Sequence, residues 1–137
     1  MESIMKKLNL TLALAAITFL AAPLAHADNY PESVQGNWAV TANLTSGSLI
    51  ITSQGDPTTG KCPAIAGTVF GDAIQGFYCP GSGRIHFVRK LSNNVTIQAW
   101  TGQLSDDATR PRMGGMHTSV DVFFGGNLGE YNFQARK

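Results

Sequence analysis

AIAGTVFGDAIQGFYC, residues 64–79, holds two short runs that suit a pleated, half-buried surface, Ala64–Val69 and Ala73–Cys79. Between them Val69-Phe70-Gly71-Asp72 has the composition of a tight turn. A four-residue loop there sets Thr68 opposite Ala73, and equal steps away from the turn bring Cys62 opposite Cys79. The segment reads as a β-hairpin that a disulfide can staple.

The same texture continues on both sides. Runs rich in Val, Ile, Thr, Phe and Tyr predict strands at Val34–Asn43, Ser48–Gln54, Ala64–Val69, Ala73–Cys79, Arg84–Lys90, Val95–Leu104, Arg112–Phe124 with room for an interruption, and Leu128–Ala135. The intervening stretches, among them Thr45-Ser46-Gly47, Gly81-Ser82-Gly83, Ser92-Asn93-Asn94, Asp106-Asp107 and Gly125-Gly126-Asn127, are short and carry turn residues, so hairpins are expected in place of crossovers. Helical periodicity is hard to find. Eight strands joined in this way close as an all-β, eight-stranded antiparallel up-and-down β-barrel, which leaves no free sheet edge. A two-sheet sandwich fits the same spacing and is the alternative.

The first 27 residues read differently. Lys6 and Lys7 precede an almost wholly apolar run from Leu8 to Leu24, and Ala25-His26-Ala27 has the small-x-small form of a leader-peptidase site, so a signal peptide cleaved after Ala27 is expected. A membrane anchor is the competing reading, and Pro23 and the Ala-His-Ala end speak for cleavage. A periplasmic or secreted protein follows, as one β-barrel domain over 28–137 with no membrane span once the leader is gone. Removing Lys6, Lys7 and Glu2 from the 10 basic and 9 acidic residues leaves eight of each, so no net field draws the chain to nucleic acid. In an oxidising compartment the two cysteines, Cys62 and Cys79, are expected to pair as a disulfide.

No pattern for catalysis is present: Gly-x-Ser-x-Gly, a phosphate-binding glycine loop and His-Glu-x-x-His are all missing. A non-enzymatic protein without metal or cofactor is therefore expected. His86 and His117 could each approach Asp121 or Glu130, and Arg84, Arg89, Lys90, Arg110 and Arg112 could form an anion-binding patch or a solvated face balanced by Asp106 and Asp107. In NVTIQAWTGQL, residues 94–104, strand alternation puts Trp100 on one face with Thr96 and Gln98. Such a face suits a ligand cavity or the cover of a barrel end. Gly114 and Gly115 are expected to relieve crowding or to bend the next strand.

GNW at Gly36–Trp38 resembles the Gly-x-Trp that opens the calycins, the lipocalin and avidin barrels. WTGQ at Trp100–Gln103 resembles a sixth-strand segment of avidins, and F-x-x-R at Phe133–Arg136 is similar to an avidin-like close. The resemblance implies a small ligand-binding barrel. Its biotin-binding pattern does not carry over: Val40, Leu44 and Tyr131 stand where polar ligand contacts are expected.

The leading expectation is an exported binding protein for a small apolar or amphipathic ligand or a protein partner, with Trp38, Phe77, Phe87, Trp100 and Tyr131 as the ligand-facing set. A periplasmic protease inhibitor is the alternative, with Asp28–Gln35 as the segment that enters the protease. A structural envelope domain is a third reading. DVFFGG at Asp121–Gly126 could supply a homo-oligomer interface or core.

Overall fold

The computed structural model describes residues 30–56 and 62–137; the expected leader, its cleavage site and Asp28 lie outside them. Eight strands follow in order: β1 Gly36–Ala42, β2 Thr45–Gln54, β3 Ala64–Val69, β4 Asp72–Cys79, β5 Arg84–Lys90, β6 Thr96–Leu104, β7 Arg112–Val120 and β8 Asn127–Arg136. Each pairs antiparallel with the next, and β1 pairs with β8, so the sheet closes into an up-and-down barrel and the sandwich alternative falls.

The founding hairpin has the expected register. Thr68 faces Ala73, and Cys62 is bonded to Cys79 with their Cα atoms 4.1 Å apart. The bridge spans 17 residues of sequence, and closing a loop of that length in the unfolded chain is worth about 3 kcal/mol. Cys79→Ser is accordingly expected to leave a folded barrel with its urea midpoint lowered by a loss of that size. An unchanged midpoint would show that the bridge constrains nothing.

Several boundaries shift by one or two residues, and two differ from the sequence reading by more. The first turn is Asn43-Leu44, with both residues at positive φ (46° and 66°), and Thr45–Gly47 belongs to β2. Asn tolerates the left-handed region, so the chain reverses in two residues and Ala42 faces Thr45 directly. Strand β7 stops at Val120 and does not reach Phe124. Asp121 ends it: its Oδ1 accepts the backbone N–H groups of Phe123 and Phe124 at 2.9 and 3.0 Å, and its carbonyl accepts that of Gly125 at 3.0 Å.

Alternation sends apolar side chains inward and polar ones outward. Trp38 and Val40 of β1, Leu49 and Ile51 of β2, Ile74 and Tyr78 of β4, and Ile85 and Phe87 of β5 are buried together. Asn37, Gln75, Thr101, Gln103 and Gln134 face away and are exposed. A membrane-spanning barrel requires the reverse, an apolar outer band.

The two ends are unlike. At the end that holds the β4–β5 and β6–β7 turns, residues 30–35 cross the opening. Val34 is buried there, its N–H bonds to Gln54 Oε1 at 2.9 Å, and its carbonyl accepts Trp38 Nε1–H at 2.9 Å. The Tyr78 hydroxyl donates to the Pro31 carbonyl at 2.6 Å. Burial, with a smaller contribution from Tyr30, pushes the Tyr78 pKa up to about 12, so it stays a donor at any ordinary pH. Lys137 Nζ donates to the Gln35 carbonyl and lies 5.1 Å from the Trp38 ring centre, which ties the chain's end to the same plug. The β6–β7 turn at this end is braced by Asp107, whose Oδ1 accepts Thr109 N–H and Oγ1–H and Arg110 N–H. The other end, bearing the β1–β2, β3–β4, β5–β6 and β7–β8 turns, has no such cover among the described residues. It is the mouth.

Candidate functional site

Cross-strand partners lie side by side in the barrel wall, so inward residues of β5–β8 form rows beneath the mouth, and the upper three build the site above Leu104, Met113 and Ala135. The lowest of the three is Ile85, Gly102, Gly115 and Phe133. Its glycines make room: a Cβ on Gly102 would lie 2.8 Å from the Phe133 ring, and one on Gly115 only 2.0 Å from the Thr101 carbonyl oxygen. Crowding, then, explains Gly115, and β7 runs on through it without a break.

The middle row is aromatic: Phe87, Trp100, His117 and Tyr131. Successive ring centres are 5.4, 4.4 and 5.4 Å apart, and the first two contacts are stacked. Phe133 meets Trp100 from below at 4.9 Å. Trp100 is only 2% exposed, so it forms the floor of the mouth and not the wall of a deep cavity.

The top row is polar and internally bonded. Arg89 donates to Asp72 Oδ2 from Nε and Nη2 at 2.9 and 2.6 Å, and from Nη1 to Gln98 Oε1 at 3.3 Å. Gln98 Oε1 also accepts Trp100 Nε1–H at 3.1 Å, while its Nε2 donates to Ser119 Oγ at 3.2 Å. Phe70, at φ 50°, leans its ring across the mouth over Gly47 and sits 5.5 Å from the Arg89 guanidinium. The resulting cup holds about 490 Å³ and is bordered by Asn43, Phe70, Arg89, Gln98, Ser119 and Tyr131. With Asp72 satisfying Arg89, the charges cancel, and among the described residues the Ser119 hydroxyl accepts from Gln98 and keeps its own proton for a guest.

Of the five residues expected to face a ligand, Phe87, Trp100 and Tyr131 come together under this cup. Trp38 is buried at the closed end. Phe77 lies on the outer wall, 41% exposed, with its ring 4.9 Å from that of His86, because Ile74 and Tyr78 take the inward parity of β4. The two histidines cannot share a metal: His86 faces outward and approaches Thr101 Oγ1 at 3.2 Å, whereas His117 faces inward. No group of three or more His, Cys, Asp or Glu suited to a metal occurs among the described residues. The arginine run also divides, with Arg89 and Lys90 at the mouth and Arg84, Arg110 and Arg112 at the closed end.

Sequence reasoning named Arg89 only as one member of a basic run, and it passed over Ser119 and the inward role of His117. Arg89 was legible in the alternation Ile85, Phe87, Arg89. His117 becomes visible only when β7 is set against β6 so that it faces Trp100.

His117 is 4% exposed, and its Nδ1 has no hydrogen-bond partner among the described residues. Burial, and secondarily the Arg89 charge, lower its pKa below the ordinary 6.5. The folded state therefore binds a proton less readily than the unfolded chain. The stability tied to this group is complete above pH 6.5 and falls as acidification through that value protonates the unfolded state. His117→Phe keeps the stack on Trp100 and removes the unpaired nitrogen, so it is expected to gain about 1 kcal/mol at neutral pH and to lose this pH dependence. Denaturant titrations above and below pH 6.5 measure both; equal acid sensitivity in the two proteins would contradict the assignment.

Set against known protein families, curated proteins and solved structures, the chain matches none.

Proposed function

We propose that the protein is an exported, non-enzymatic binding protein of calycin-like build, whose cup takes a small amphipathic ligand. The observation that supports this best is the pre-bonded polar row Asp72–Arg89–Gln98–Ser119 lying over an aromatic row at the end of the barrel that the described residues leave uncovered. An apolar body would rest against Phe70 and Tyr131, and a polar head would meet Ser119 and the Arg89–Asp72 pair. The disulfide suits an oxidising compartment, which agrees with the leader read over residues 1–27.

The protease-inhibitor reading needs a projecting N-terminal arm. Residues 30–35 are instead bonded across the closed end, which weighs against it. The cup is tested by titrating the protein with an anilinonaphthalene sulfonate probe while following tryptophan emission. Saturable uptake of one probe per chain is expected, with Tyr131→Ala weakening it about tenfold while the barrel stays folded. Absence of saturable uptake, or uptake indifferent to Tyr131→Ala, would overturn the proposal.

A further inference from the structure

Among the described residues eight large hydrophobic side chains are exposed, and six of them, Leu44, Leu91, Val122, Phe123, Phe124 and Leu128, stand around the mouth. The Pro80–Gly83 and 105–111 turns at the closed end carry none. Leu91 and Val122 keep most of their surface covered, but Leu44, Phe123 and Phe124 add little to the barrel's own packing. Leu44 is the clearest case: it is 98% exposed and held at φ 66°, a conformation that glycine takes without strain. An exposed apolar side chain on a strained turn gives the fold no return. Strain kept in this way points to a use outside the fold. Phe123 and Phe124, 84% and 92% exposed, are presented by the Asp121 turn described above.

From this arrangement we propose that the mouth docks on the surface of a membrane of neutral, zwitterionic phospholipid, with Leu44, Phe123 and Phe124 inserted among the acyl chains. The apolar residues sit on separate hairpin tips around a polar cup. A protein partner would need to match that interrupted outline with a contiguous core, whereas a fluid lipid surface conforms to each tip. Charge selects the lipid. The described residues at the mouth include Arg89 and Lys90 against Asp72, Asp121 and Glu130, and Lys90 is already held by Gln75 and Asn94, so there is no cationic excess to seek anionic headgroups. The cup would then open toward the lipid, although docking does not depend on whether it takes a guest.

The test is flotation of the purified protein with phosphatidylcholine vesicles, alone and with anionic lipid added, beside the triple variant Leu44→Gly/Phe123→Ser/Phe124→Ser. Wild type is expected to float with phosphatidylcholine alone and in 0.5 M salt, and the triple variant to bind at least tenfold less. Leu44→Gly alone should melt no lower than wild type while binding less, which separates docking from folding. Equal flotation of wild type and triple variant would overturn the proposal, as would binding that requires anionic lipid. Failure of wild type to float, with a dimer in native mass spectrometry that the triple variant abolishes, would assign the tips to self-association instead. Probe uptake by the cup in lipid-free buffer reports separately on the ligand reading.

Discussion

Replacing Trp100 with alanine is expected to destabilise the barrel by about 3–5 kcal/mol, the range for truncating a fully buried large aromatic. The indole is stacked between Phe87 and His117, rests on Phe133 and lies 6.4 Å from Phe70, so its removal leaves a void among four rings. Its Nε1–H also anchors Gln98, and losing it would loosen the polar row above. Domains of this size have about 5–15 kcal/mol in all, so the variant would sit near the limit of folding. Urea denaturation measures the loss. A cost below about 1 kcal/mol would show that the indole is not packed as described, and Trp100→Phe, which keeps a ring in place, should recover much of the stability.

Deleting the chain through Gln35 should be of similar or greater consequence. It removes the buried Val34 side chain, worth about 1.5–3 kcal/mol, and strips the acceptors from Trp38 Nε1–H and Tyr78 O–H, each costing about 1–3 kcal/mol when left unpaired. A fall in stability on the order of 5 kcal/mol is expected in thermal or denaturant unfolding. The sequence alone suggests a different outcome, an arm that could be cut away while the barrel stays whole. An unchanged melting temperature after the deletion would restore that reading.

Strand identity was legible from runs of Val, Ile, Thr, Phe and Tyr between turn residues, but the inward face was less so, because the apolar Phe77 and Val88 take the outward parity beside Gln75 and His86. The hairpin register followed from the turn at Val69–Asp72, which sets Thr68 against Ala73 and so brings Cys62 opposite Cys79. The Asn43-Leu44 turn was hidden because leucine at positive φ violates the usual turn chemistry, and the neighbouring Thr45-Ser46-Gly47 carries a stronger signal. The cup was half visible. Trp100 and Gln98 share a strand and could be placed on one face, but Asp72, Arg89, Ser119 and His117 converge only through pairing between strands, which no single run of residues records. The plug escaped for the same reason, since Pro31 meets Tyr78 across 47 residues of chain.

Seven of the barrel's eight seams join consecutive strands, and each can form as soon as its own hairpin exists. The eighth joins Ala39–Ala42 to Phe133–Arg136, four pairs of residues from opposite ends of the domain, where β7 and β8 share nine. Closing so long a loop costs more entropy than any hairpin and returns fewer backbone bonds. The ring is thus expected to form as an open ribbon whose β1–β8 clasp closes last and opens first. Native-state amide exchange should follow that order, fastest along the β1–β8 seam and slowest in β5–β7, where the aromatic row holds the wall together.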